Sequence, residues 1–155
     1  MNSRYKPFSI SVMIAVILVG AGFGTWTGLV YNPTLWWIAT IAGGLCGYPL
    51  ARIYLRSLKN SCDKGHGGPV IWVSGTFVAT GCGIACTALL HAIMIMVTAY
   101  GSNVASLGEL GDSRDIWPIV FFVGVVIGAG AGFLVGGICS LVFVLSVKAP
   151  VHETA

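Results

Sequence analysis

The chain has 155 residues, of which 56% are hydrophobic and 8% are charged, with a formal net charge of +3. A soluble domain carries about 25% charged residues, so this composition excludes a water-soluble globular domain. Four apolar runs exceed the roughly 18 residues that indicate a transmembrane helix. We predict one all-α domain, residues 1–155, that forms a polytopic integral membrane protein. Its four transmembrane helices are predicted at 8–30, 35–55, 69–98 and 116–147.

The first predicted helix follows two basic residues, Arg4 and Lys6, as the apolar part of a signal peptide would. Its apolar run continues to Val30, which is too long for that segment of a typical signal peptide, so we predict a retained helix. It carries a row of glycines one turn apart: Gly20, Gly24 and Gly28. Membrane helices associate by close van der Waals contact, and small residues let their backbones approach. We therefore predict a helix-packing groove on this helix.

The second predicted helix carries a similar row, with Gly43 and Gly47 at its centre. We expect this row to be another packing groove. Arg52 falls one turn before the predicted end of the helix at residue 55. A long basic side chain in this position typically anchors the helix end by extending its charge to the membrane interface.

The third predicted helix is the most polar. At 100° per residue, four threonines and one histidine fall on one face: Thr76, Thr80, Thr87, His91 and Thr98. An ionisable group within an apolar span is a functional hypothesis by default. This polar stripe has three interpretations: hydrogen bonding within the helix bundle, a path for a small solute, or haem ligation by His91. Because no other histidine lies within a predicted helix, we predict no cofactor.

The third helix also contains Cys82 and Cys86, one turn apart, with Met96 near the same face. Thiolates and thioethers suit soft metals such as Cu(I), so these three residues are weak candidates for a metal site. The alternative is that both cysteines are small packing residues. This alternative predicts no metal.

The fourth predicted helix has a small residue at every fourth position: Gly124, Gly128, Gly132, Gly136 and Ser140. In water each helical glycine costs about 1 kcal/mol relative to alanine. In a bilayer the helix stays hydrogen-bonded, and the missing side chain allows close approach of another helix. This groove either holds the bundle together or docks a helix of another subunit.

The basic residues indicate the orientation. Seven of the eight lie before the first helix, around the end of the second, or after the fourth: Arg4, Lys6, Arg52, Arg56, Lys59, Lys64 and Lys148. The exception is Arg114. Basic residues are retained on the cytoplasmic side, so we predict that both termini are cytoplasmic, with the cell (inner) membrane as the location.

No Asp or Glu lies within a predicted helix, which excludes a rotor or pump whose ion carrier is a buried carboxylate. We find no nucleophile–base pair, metal triad or nucleotide loop, so we predict that the protein is not an enzyme. The leading hypothesis is an accessory or scaffolding component of a membrane complex, or a homo-oligomer. Its predicted partners are the lipid bilayer and other membrane helices, without nucleic acid. The alternative is a channel or transporter for a small solute or ion along Thr80, Thr87 and His91, or, with less support, a soft-metal transporter.

Overall fold

A computed structural model of the chain describes residues 5–31, 36–101 and 116–148, and within these ranges it is helical except for a short connection at residues 64–67. The helices are α1 (Tyr5–Tyr31), α2 (Trp36–Asp63), α3 (Gly68–Gly101) and α4 (Ile116–Phe143), and a π-helical turn, Val144–Lys148, follows α4. Each of the four α-helices contains a segment long and apolar enough to cross a membrane, which confirms the predicted number and type of elements. At 1.5 Å per residue, α1 is about 40 Å long and exceeds the ~30 Å hydrocarbon core.

The end of α2 differs from the sequence-based prediction. The helix continues to Asp63, so Arg52 lies about three turns before its end and not one. The helix ends there because Gly65 adopts a left-handed conformation, with a φ of 71°. The amide of Gly65 donates to the carbonyl of Cys62, and the amide of His66 donates to that of Ser61, as in a Schellman motif. Hydropathy marks the end of the apolar run, whereas this cap sets the end of the helix.

The four helices pack as two pairs. The most extensive contacts join α1 to α2 and α3 to α4, and the pairs meet mainly through α2 and α3. We refer to them as the α1/α2 pair and the α3/α4 pair. Small residues lie at the centre of both contacts, with Gly43 and Gly47 buried on α2 and Gly128 and Gly136 buried on α4.

A cluster of large apolar side chains joins the two pairs near one end of the bundle. It contains residues from all four helices: Val12, Tyr54, Leu55, Leu58, Ile71 and Phe143. Away from this cluster the surface is apolar; Leu18, Phe77 and Phe122 are 66%, 74% and 68% exposed. An apolar surface this continuous suits hydrocarbon and not water. The structure therefore fits a lipid environment.

Candidate functional site

The contact within the α1/α2 pair joins backbone to backbone. A Cβ added at Gly20 would lie 2.5 Å from the carbonyl oxygen of Gly43. One added at Gly24 would meet the carbonyl oxygen of Ala39, and one at Gly28 would lie 2.6 Å from the Cα of Trp36. Real Cβ atoms essentially never approach other heavy atoms below 3.0 Å. The helices can therefore reach this separation only while these positions lack a side chain.

On the other helix of the same pair, Gly43 and Gly47 face α1. A Cβ at Gly43 would meet the carbonyl oxygen of Gly20, and one at Gly47 would lie 2.9 Å from that of Val16. One polar contact accompanies the glycines: the Thr25 and Thr40 hydroxyl oxygens are 2.8 Å apart. The glycines predicted on the first two helices thus face each other in antiparallel order.

The small residues of α4 face α3 of the same chain. A Cβ at Gly132 would lie 2.5 Å from the carbonyl oxygen of Ala79 and 3.0 Å from the Cα of Thr80. Three other positions of the row face side chains first, and a Cβ at Gly128 would also lie 2.8 Å from the carbonyl oxygen of Gly83. Gly124 faces the His91 ring, Gly128 faces Thr87, Gly136 faces the Cβ of Ala79, and Ser140 faces Gly75. The groove is therefore occupied along its length by α3.

The polar stripe of α3 lies in this same contact. Thr76, Thr80 and Thr87 each donate a hydrogen bond to the carbonyl four residues earlier, at 2.8, 2.9 and 2.9 Å. The His91 Nδ1 lies 2.8 Å from the carbonyl oxygen of Thr87, which makes Nδ1 the donor. Thr76, Thr87 and His91 are buried. The side chain of Thr98 lies outside the described ones.

An apolar cleft separates the two pairs at mid-height and encloses a cavity of about 90 Å³. All four helices line it, through residues such as Phe23, Leu50, Cys82 and Val135. Of the four stripe residues whose side chains are described, only Thr87 contributes to its wall. Moving a charged solute into such a wall would remove its hydration without replacing it. The cleft therefore accommodates apolar groups better than ions.

The soft-metal candidates are separated. Cys82 and Cys86 line the cleft, but Met96 is half-exposed and lies outside the lining. At 100° per residue these three residues share similar faces of the helix, but Met96 is 14 residues beyond Cys82, which is about 21 Å along the helix axis. In the described part of the chain, no three His, Cys, Asp or Glu residues are grouped so that they could hold a metal ion. All five cysteines are free thiols.

One residue that joins the pairs escaped the sequence analysis. The Tyr54 hydroxyl lies 2.7 Å from Ser140 Oγ and donates to the Gly136 carbonyl at 3.1 Å, so it links α2 to α4. The sequence does contain a signal for this role, which is the position of Tyr54. It extends the buried small-residue face of α2 that ends at Ala51. A tyrosine in that row indicates a buried hydroxyl that needs a partner.

Comparison of the chain with protein-family models, known proteins and solved structures finds no match. The functional argument therefore depends on the geometry of this chain alone.

Proposed function

We propose that the protein is a non-enzymatic component of a membrane assembly, and that the outer face of α3 contacts another transmembrane helix. Three helical glycines carry this proposal. At Gly22, Gly81 and Gly130, no atom other than those of the chain neighbours and the helix's own backbone lies within 4 Å of the position that a Cβ would occupy. A glycine facing lipid adds nothing to packing within its own chain, whereas it favours close approach by a helix from outside.

The surroundings of these glycines favour α3. Leu18 and Trp26 lie one turn before and one turn after Gly22. Because both side chains are large and exposed, they would keep a partner helix away from Gly22. Gly130 lies between Val126 and Leu134 in the same way. Phe77, one turn before Gly81, is also large and exposed, but beyond Gly81 the exposed face continues with two small residues, Ala85 and Ala92, four and eleven residues further along α3. We call Gly81, Ala85 and Ala92 the outer α3 row.

We assign the partner to α3 of a second copy. A two-fold axis would place the outer α3 row of one copy against that of the other, and such a contact is self-complementary without a second gene product. The row presents no charged or polar side chain that would select a different helix. In this proposal the glycine rows facing inward hold each pair together. The basic residues keep both termini in the cytoplasm, with the cell (inner) membrane as the location.

The alternative function, a channel or transporter, has less support. Its proposed path uses Thr80, Thr87 and His91, but both hydroxyls bond to the backbone of their own helix. His91 packs against Gly124 of α4. The adjacent cleft is apolar, so it offers ions no replacement for their water.

Disulfide crosslinking in native membranes tests the α3 contact. In a background with all five cysteines replaced by alanine, Ala85→Cys should form a disulfide-linked dimer on mild oxidation, because the two-fold places both copies of residue 85 together. Leu18→Cys is the control, since Leu18 is 66% exposed and lies midway along α1. Gly81→Leu, added to Ala85→Cys, should abolish the dimer by separating the backbones. Equal crosslinking at positions 18 and 85, or none at 85, would contradict the proposal.

A further inference from the structure

A polar pocket lies at the end of α2, on the outer surface of the bundle. It has a volume of about 360 Å³ and is lined by seven residues: Ile53, Arg56, Ser57, Asn60, Ser61, Lys64 and His66. We call it the basic pocket. None of its residues belongs to the helix contacts, the cleft or the outer α3 row described above.

The helix and its cap build this pocket. Arg56, Asn60 and Lys64 are spaced four residues apart, so they follow one face of α2 and its cap. Ile53, Ser57 and Ser61 form the adjacent row with the same spacing. The left-handed conformation of Gly65 then turns the chain back, and the His66 amide bonds to the Ser61 carbonyl at 3.2 Å. This turn brings His66 into the wall of the pocket.

Some of the charged residues at this end of α2 line the basic pocket, and the others lie outside it. Among the residues that the structure describes, no carboxylate lines the basic pocket. Asp63, the nearest acid in the sequence, is exposed and lies outside the lining of the pocket. Two other basic residues of α2 lie outside the pocket: Lys59 is exposed, and the Arg52 guanidinium lies 5.6 Å from the centre of the Tyr48 ring. The pocket thus concentrates two permanent positive charges with a histidine, two hydroxyls and an amide.

This set of donors matches a phosphate group. Arginine and lysine form charge-assisted hydrogen bonds to phosphate oxygens, and hydroxyl and amide groups can satisfy the remaining oxygens. The position of the pocket indicates where that phosphate comes from. Ile53, which is 55% exposed, forms its apolar side toward the span, whereas Lys64 and His66 lie beyond the end of α2. Phospholipid head groups occupy this boundary, and basic pockets there bind anionic lipids.

We propose that the basic pocket binds the head group of an anionic phospholipid. The phosphate lies among Arg56, Lys64 and His66, and the acyl chains extend along the apolar surface beside Ile53. This site depends on insertion of the helices in a bilayer but not on the α3 contact, so each proposal can fail without the other.

Native mass spectrometry of the delipidated protein in detergent tests this site. Phosphatidic acid and phosphatidylcholine with identical acyl chains are titrated separately, and phosphatidic acid should bind more tightly. A basic residue near the membrane surface contributes about 1 kcal/mol, which corresponds to about a fivefold change in affinity. Arg56→Gln and Lys64→Gln should each weaken phosphatidic acid binding by at least about fivefold. Lys59→Gln, which removes the same charge from outside the pocket, should change it by less than about twofold.

Two further measurements keep the test decisive. All three positions are exposed, so the variants should fold, and unchanged phosphatidylcholine binding verifies this in the same experiment. Glycerol 3-phosphate should not displace phosphatidic acid at equal concentration, because it lacks acyl chains. If it displaces the lipid, the ligand is a soluble phosphate and the proposal is wrong. If Lys59→Gln weakens binding as much as Arg56→Gln, the attraction comes from diffuse charge and the proposal is equally wrong.

Discussion

The α1/α2 pair and the α3/α4 pair both bring glycines to their contact, but these glycines face different groups. On α1, Gly20 and Gly24 face carbonyl oxygens of α2. On α4, Gly124 and Gly128 face the side chains of His91 and Thr87 first. The first contact is therefore between two backbones, whereas the second combines a backbone contact at Gly132 with polar side chains in the space that Gly124 and Gly128 leave open.

This difference determines how much each contact can adjust. A helix carbonyl cannot move away from an added methyl group without disturbing the helix, and in lipid no water replaces a broken backbone hydrogen bond. A side chain can instead change rotamer at a cost of order 1 kcal/mol. Glycines that look alike in sequence should thus tolerate substitution differently: Gly124, which faces a ring, should tolerate it better than Gly24, which faces a carbonyl oxygen.

The largest effect is expected for Gly24→Ala. The added methyl group would meet the carbonyl oxygen of Ala39, so α1 and α2 must separate. We expect a loss of about 3 kcal/mol in the free energy of unfolding, at the upper end for an overpacked core. Reversible unfolding in mixed detergent micelles measures this. Gly22→Ala is the matched control, two residues away with no atom within 4 Å, and should change stability by less than about 0.5 kcal/mol. Equal losses would show that backbone contact does not set the stability of this pair.

A smaller effect is expected for Gly124→Ala. We expect it to lower the free energy of unfolding by about 1–2 kcal/mol, because the His91 ring can shift away from the new methyl group. The distinguishing result is rescue. In His91→Ala the ring is absent, so adding Gly124→Ala should cost little, and the double-mutant cycle should show a coupling above about 0.5 kcal/mol. Gly24 has no such partner, because its opposing atom is a carbonyl oxygen. Strict additivity of the two substitutions would mean that His91 and Gly124 do not share the contact.

The sequence predicts the elements of this fold better than their arrangement. Long apolar runs predict the four helices, because hydrocarbon requires continuous helical segments of that length. A four-residue period places Gly128 and Thr87 on particular faces, but it does not reveal which helix covers each face, since the first, second and fourth helices all carry glycine rows. For the same reason His91 could be interpreted as part of a solute path, and its position against Gly124 became visible only with the structure.

Two further features of the structure could not be predicted, one for a local reason and one for a long-range reason. The extension of α2 to Asp63 could not be predicted from hydropathy, because its last turns carry polar residues that suit a helix in water as well as a loop. The cap at Gly65 is the relevant signal there. The polar link between the pairs through Tyr54 was missed because its partners, Gly136 and Ser140, are more than 80 residues away along the chain.

The smallest effect is expected where the two pairs meet. Tyr54→Phe removes the hydroxyl that lies between the Gly136 carbonyl and Ser140 Oγ, while the ring keeps its packing in the apolar cluster. Hydrogen bonds between membrane helices average about 0.6 kcal/mol and reach about 1.7, so we expect a loss near 1 kcal/mol in the free energy of unfolding. Micelle unfolding gives the value, and Tyr48→Phe, at an exposed tyrosine of the same helix, should have almost no effect.

Ser140→Ala provides the test of the link itself. If the two hydroxyls bond each other, Tyr54→Phe should cost less in the Ser140→Ala background than in the natural chain, since part of the interaction is already absent. Removal of the Tyr54 hydroxyl should also leave the α1/α2 contact intact. The difference in unfolding free energy between Gly24→Ala and Gly22→Ala should therefore persist in the Tyr54→Phe background. If that difference disappears, the pairs do not behave as separate packing units, and the contrast between their two glycine contacts would have to be attributed to the bundle as a whole.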